Sequence, residues 1–279
     1  EDCLSLNVFV PSTHLDADAD GRRDPLPVLV WIHGGANVGG SKTSYGPIEN
    51  LPASTQGHIL VAINYRLGIF GYLALPVLRA ADPRKTAGNY GITDQQEALR
   101  WVAQNVAAFG GDPGRVTIMG QSSGGTNVYA HLASAGSKGL FHAAIGLSGS
   151  PNITMGQAAK ERQDSELWLP RTPCANASEA TLLQCLHTAD AGELLRSIPP
   201  KYEVFTFADK YDYPVNTVGL RTTVATLVHV DGVTITDPLE ESLRHGLHSD
   251  VPVVFQSAQA EMDCYPIPAM VGASVATLD

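Results

Sequence analysis

Short, nearly continuous apolar runs alternate along the chain with stretches of helical period. Residues 6–10, 27–32, 58–64, 116–119, 144–147 and 252–255 have the length and the Val, Ile and Leu content of strands. They show little apolar–polar alternation, as strands covered on both faces of a parallel sheet do. Residues 91–108 place Ile92, Leu99, Val102 and Val106 on helical steps, with Phe109 just beyond. This predicts an amphipathic helix that stops at Phe109-Gly110-Gly111-Asp112-Pro113. Residues 123–135 predict a second helix, opening on small side chains. The alternation predicts an α/β fold with a mostly parallel sheet and crossover helices. From about 150 to 228 it breaks down into Pro-, Asp- and Thr-rich sequence with short helical pieces at 180–187 and 192–197. That stretch reads as a cap-like insertion on the loop side of the sheet, inside one domain covering 1–279.

Composition narrows the partners. Hydrophobic residues make up 44% of the 279 and charged residues 16%, enough apolar material for a real core. With 28 acidic against 18 basic side chains the net charge is −10, and no basic run is present. The chain therefore lacks the electrostatic footprint of a nucleic-acid or anionic-membrane binder. No apolar stretch is long enough to span a bilayer. Small neutral or cationic molecules are the expected partners. The first residue is Glu1, with no charged-then-apolar leader before it, so the N-terminus reads as the inside of a longer chain.

The four cysteines, at 3, 174, 185 and 264, form no C-x-x-C pair and no cluster with histidine, so no metal site is expected. Spacing alone leaves Cys174 and Cys185 equally open to a disulfide or to two ordinary thiols. Two glycosylation sequons, at Asn152 and at Asn176 inside the Cys loop, tilt the balance toward an oxidising, secretory compartment.

The strongest chemical signal is Val116-Thr117-Ile118-Met119-Gly120-Gln121-Ser122-Ser123-Gly124-Gly125. A bare G-x-S-x-G is weak. Here an apolar run leads straight in and a helix of small residues leads straight out, the context of a strand–turn–helix elbow that presents a nucleophilic serine. Attack by Ser122 on a carbonyl would build negative charge on oxygen, which fixed backbone N–H groups must meet. Ser123 offers one such amide. A glycine-rich loop, Trp31-Ile32-His33-Gly34-Gly35-Ala36-Asn37, ends the strongest strand and could offer others. That loop runs on to Gly40-Ser41-Lys42, one transposition from a phosphate-binding loop. The inverted Ser–Lys order misplaces both groups for a nucleotide, so this rival reading is rejected.

These features together resemble the type-B carboxylesterases, the family of cholinesterases and some fungal lipases. Glu1-Asp2-Cys3-Leu4-Ser5-Leu6-Asn7-Val8 is similar to the family's N-terminal signature. Phe109-Gly110-Gly111-Asp112-Pro113-Gly114-Arg115-Val116-Thr117, running into Gly120–Gly124, is similar to its serine signature. Asn64-Tyr65-Arg66-Leu67-Gly68 and Gly88-Asn89-Tyr90-Gly91-Ile92-Thr93-Asp94-Gln95 fall between them in family order. The resemblance implies an α/β-hydrolase fold whose C-terminal part lies outside this chain. It implies a serine carboxylic-ester hydrolase working through an acyl-enzyme, on small-molecule esters, with no cofactor. Ser122 would be the nucleophile, Gly35, Ala36 and Ser123 the oxyanion-hole amides, and Glu261 the triad acid, with Asp263 as fallback. It also implies a Cys174–Cys185 disulfide, an unpaired Cys3, and a secreted glycoprotein.

The sequence departs from the family pattern at Ala36, Gln121 and Met262, and above all in its histidines. All nine, at 14, 33, 58, 131, 142, 187, 229, 245 and 248, precede Glu261, whereas the family's base follows its acid. The chain by itself is therefore expected to be nearly inactive. Two other readings stand beside the hydrolase: a catalytically silent, cholinesterase-like binding protein, and an inactive short product. The intact elbow at Ser122 weighs against the first.

Overall fold

The computed structural model describes residues 3–14, 24–44, 57–198 and 227–258. Six strands form one sheet: β1 (Leu6–Phe9), β2 (Leu26–Ile32), β3 (Ile59–Ile63), β4 (Gly111–Gln121), β5 (Ala143–Leu147) and β6 (Val253–Gln256). Their order is β1-β3-β2-β4-β5-β6. β1 runs antiparallel to β3, and the other pairings are parallel. Each strand falls on one of the apolar runs.

The missing alternation has its cause in the packing. Along β2 and β3, Val28, Val30, Ile32, Ile59, Val61 and Ile63 belong to one buried cluster, while Trp31, Leu60 and Ala62 belong to another. Both faces are covered, and each fully buried side chain of this size contributes roughly 1.5–3 kcal/mol. The first face is closed by α3 (Tyr90–Asn105), through Ile92, Leu99 and Val102, and by α4 (Ser123–Leu132), through Val128 and Leu132. The remaining helices described are α1 (Gly68–Tyr72), α2 (Pro76–Ala81), α5 (Gln157–Leu167), α6 (Glu179–Thr188), α7 (Ala191–Arg196) and α8 (Leu239–Arg244). None of the helices described is long and apolar enough to cross a membrane.

β4 begins five residues before its apolar run. Gly111 pairs with Leu26, the register then shifts, and pairing resumes at Val116 opposite Val28. The intervening Pro113, Gly114 and Arg115 are exposed, and Arg115 is ion-paired to Asp112 at 2.7 Å. Turn residues here ride on a strand that has already started, which masks its beginning in the sequence.

A second, smaller core gathers Leu75, Trp168, Cys174, Leu186 and Leu194. Cys174 and Cys185 are disulfide-bonded within it. Cys3 is exposed and unpaired among the described residues, and Cys264 lies outside them. Asn176 is exposed and Asn152 half-buried.

Candidate active site

β2 and β4 are parallel neighbours with Ile32 opposite Gly120. The loops leaving their C-terminal ends therefore emerge side by side. From β4 the chain turns at Ser122, whose φ of 57° and ψ of −127° lie where few non-glycine residues go. Three contacts hold this turn. The Ser122 N–H donates to the Leu147 carbonyl of β5 at 2.8 Å, and the Ser122 carbonyl accepts from Thr126 of α4 at 3.0 Å. Gly120 and Gly124 then meet so closely that a Cβ on Gly120 would lie 2.3 Å from the Gly124 oxygen. A Cβ on Gly124 would lie 2.2 Å from the Ile32 oxygen. The G-x-S-x-G spacing is thus a packing requirement, set by helix α4 starting against the ends of β2 and β4.

In the β2 loop, Gly35, Ala36 and Asn37 have φ of 119°, 57° and 57°. Val38 and Gly39 both donate back to the Gly35 carbonyl at 3.0 Å. The Asn37 N–H is taken by Ser123 Oγ at 3.0 Å, which ties the loop to the elbow. The N–H groups of Gly35 and Ala36 donate to no acceptor among the described residues. Ser123, first residue of α4, carries the orphan N–H that every helix start leaves. Gly35, Ala36, Ser122 and Ser123 are half-buried, open enough for a ligand to reach, whereas Asn37 is buried.

Below the loop, the Tyr65 hydroxyl donates to the His33 carbonyl at 2.6 Å, and its ring stacks on the His33 imidazole at 4.4 Å. His33 Nδ1 donates to the Gly34 carbonyl at 2.9 Å. Burial lowers the His33 pKa, so the ring stays neutral as part of the loop's frame. The other two histidines buried in the core are occupied elsewhere. His131 is held between Ser137 and Gln95, and His229 between Ala87 and Gln157. None of these contacts involves Ser122. The quoted Asn64–Gly68 and Gly88–Gln95 motifs are joined by Arg66, whose guanidinium grips Asp94 through two 2.8 Å bonds.

The register Gly120↔Gly146 and Gly146↔Phe255 carries β6 to the same edge of the sheet, two strands from Ser122. Glu261 and Asp263, a few residues further on, lie outside the described residues. A small, largely apolar cleft adjoins the β2 loop at Val38, walled by Tyr72, Leu73, Trp168, Ile198 and Leu227 with the paired Lys160 and Asp164. The structure thus brings Ser122, Ser123, Gly35 and Ala36 to one edge. Sequence reasoning missed Tyr65, Asn37 and Asn127 as parts of this framework. Their partners are distant in the chain, and no local spacing announces such pairs.

The sequence profile of the carboxylesterase family matches residues 1–270. The chain belongs to the carboxylesterase family. The chain is 39% identical to acetylcholinesterase of Gallus gallus over 216 residues, 75% of this chain and 26% of that protein. It is 39% identical to carboxylesterase 3B of Mus musculus over 196 residues, 70% of this chain and 32% of the relative. Among solved structures, a thermophilic PNB esterase superposes with a TM-score of 0.72 at 32% identity, over 92% of this chain and 47% of the other. The α/β-hydrolase fold implied by the motifs is the fold of this chain. The chain spans a quarter to a third of the length of the two curated relatives and about half of the solved one.

Proposed function

We propose that this chain carries the nucleophile side of a serine carboxylic-ester hydrolase, with Ser122 as the nucleophile. The observation that supports it most is the strained Ser122 elbow beside a loop whose Gly35 and Ala36 amides have no acceptor among the described residues. A carbonyl carbon at Ser122 would have its oxygen met by those two amides and that of Ser123. Ser122 Oγ bonds to the carbonyl carbon while a histidine takes its proton; the ester C–O bond then breaks and the alcohol leaves with that proton. Water, deprotonated by the same histidine, attacks the acyl-enzyme, releases the acid and returns the proton to Ser122. Glu261 would orient the histidine, which a segment after Glu261 would supply.

This chemistry calls for no metal or organic cofactor. The apolar cleft beside Val38 suits an ester with a hydrocarbon substituent, and a small-molecule substrate agrees with the acidic, patch-free composition. The disulfide and the exposed sequon at Asn176 support a secreted glycoprotein, with Asn152 as a second glycosylation position. Residues 150–228 would form the cap over the site in a single domain.

The test is turnover of p-nitrophenyl acetate. The 279-residue chain alone should hydrolyse it hardly above background, because losing a triad member costs on the order of 10⁴–10⁶ in kcat. Joining the histidine-bearing segment of a family relative should restore turnover, and Ser122→Ala in that protein should abolish it. Ordinary rates from the chain alone, dependent on Ser122, would make one of its nine histidines the base and remove the role of Glu261.

A further inference from the structure

Asn37 is unusual in that its backbone N–H and carbonyl and both polar atoms of its side chain are all engaged within the protein. It is 4% exposed, and it holds a left-handed conformation that asparagine tolerates better than most residues. Its N–H goes to Ser123 Oγ at 3.0 Å and its carbonyl to the Gly68 N–H of α1 at 2.7 Å. Its side chain forms a reciprocal amide pair with Asn127, which is fully buried on α4, one turn below the elbow. Asn127 Nδ2 donates to Asn37 Oδ1 at 2.9 Å, and Asn37 Nδ2 donates to Asn127 Oδ1 at 3.2 Å. The Tyr65 hydroxyl lies 3.3 Å from the same Asn37 oxygen.

We propose that Asn37 and Asn127 are positioning residues, whose amide pair locks the Gly35–Ala36 loop onto the helix that carries Ser122. The inference rests on the reading of Ser122 as nucleophile and adds what holds its anion-binding amides in register. Hydrogen-bond donors aid a developing oxyanion only when they are already fixed near 3 Å from it, so a loop free to shift would lose most of its effect. The loop leaves β2 and Ser122 leaves β4, so sheet pairing alone does not fix the residues beyond Ile32 and Gly120. Two side-chain bonds in the core, and one from Asn37 N–H to Ser123, span that gap. Both amides are buried, and removing either leaves the other with unmet donor and acceptor groups, so the pair should act as one unit.

The experiment uses the 279-residue chain and its Asn37→Ala, Asn127→Ala and double variants, with two readouts. The first is site-resolved amide hydrogen exchange at Asn37, Val38 and Gly39, whose N–H groups are hydrogen-bonded, with Ile59–Ile63 of β3 as the internal reference. The second is affinity for phenylboronic acid, which on adding to a serine hydroxyl becomes a tetrahedral anion. Each single variant should speed exchange at Asn37, Val38 and Gly39 about tenfold or more while β3 is unchanged. The double variant should exceed the singles only slightly, and boronate affinity should weaken about tenfold in all three. Unchanged loop exchange, additive effects, or equal acceleration in β3 would overturn the proposal. So would faster loop exchange with boronate affinity intact. Boronate binding that survives Ser122→Ala in the parent chain would instead overturn the nucleophile reading, and the exchange data would then decide the amide lock alone.

Discussion

Gly124 shows how little freedom the elbow leaves. Replacing it with alanine gains helix propensity worth about 1 kcal/mol. Against that gain, the new Cβ would stand 2.2 Å from the Ile32 oxygen and 2.8 Å from that of His33, both backbone atoms that cannot swing aside. Overpacking of this kind costs roughly 1–3 kcal/mol, and the clash here is at the severe end. Gly124→Ala should therefore lower the urea midpoint measurably, whereas an unchanged midpoint would mean that α4 does not start against β2 as described. The glycines and the serine are legible in the sequence as a strand–turn–helix elbow, because a strained turn demands small neighbours that are close in sequence. Asn37, Asn127 and Tyr65 were not legible. Asn37 and Asn127 are 90 residues apart, and only the fold brings them together.

The strands were legible because burial on both faces writes continuous apolar runs, of which β3, with all five residues buried, is the purest. Helix α5 was not, and its packing explains why. Its buried residues are Lys160, Glu161 and Asp164, paired as Lys160–Asp164 at 2.5 Å and Arg79–Glu161 at 2.6 Å, so it has no apolar stripe to detect. The half-exposed Arg79–Glu161 pair ties α5 to α2, while the buried Lys160–Asp164 pair lies within α5. Helices α3 and α4 are joined by a third polar contact, with His131 of α4 bonded to Gln95 of α3 at 2.9 Å and to Ser137 at 2.8 Å. Burial lowers the His131 pKa to about 3, and burial, followed by the Lys160 charge, lowers that of His229 to about 4. Both stay neutral in the fold, while in the unfolded chain each takes a proton near pH 6.5. The stability they permit is present above that value and is lost as pH falls from about 6.5 toward 4. The slope approaches 1.4 kcal/mol per pH unit for each histidine. Urea midpoints should hence fall steadily between pH 7 and pH 4.5, and His131→Gln should flatten the curve. A midpoint constant over that range would contradict the buried, neutral histidines.

Across the whole molecule, the C-terminal ends of the parallel strands β2, β4, β5 and β6 lie at one edge of the sheet, the edge that carries the proposed nucleophile Ser122. β1, the antiparallel strand, closes one side. At the other side β6 exposes Val253, Val254 and Phe255, and the Phe255 ring meets Tyr129 of α4 edge-on at 4.9 Å. Such a sheet brings loops together at one edge although their residues are scattered along the chain, which is why the fold class is easier to read from sequence than the complete site. Which atom receives the acyl group decides whether Ser122 is the nucleophile. In the chain joined to a relative's histidine-bearing segment, p-nitrophenyl acetate is added, the reaction is quenched in acid within one turnover, and the protein is digested for mass spectrometry. The acetyl group should be found on Ser122 alone and be absent from the Ser122→Ala variant. An acetyl group on Ser123 or on a histidine, or labelling that persists without Ser122, would contradict the assignment of the nucleophile.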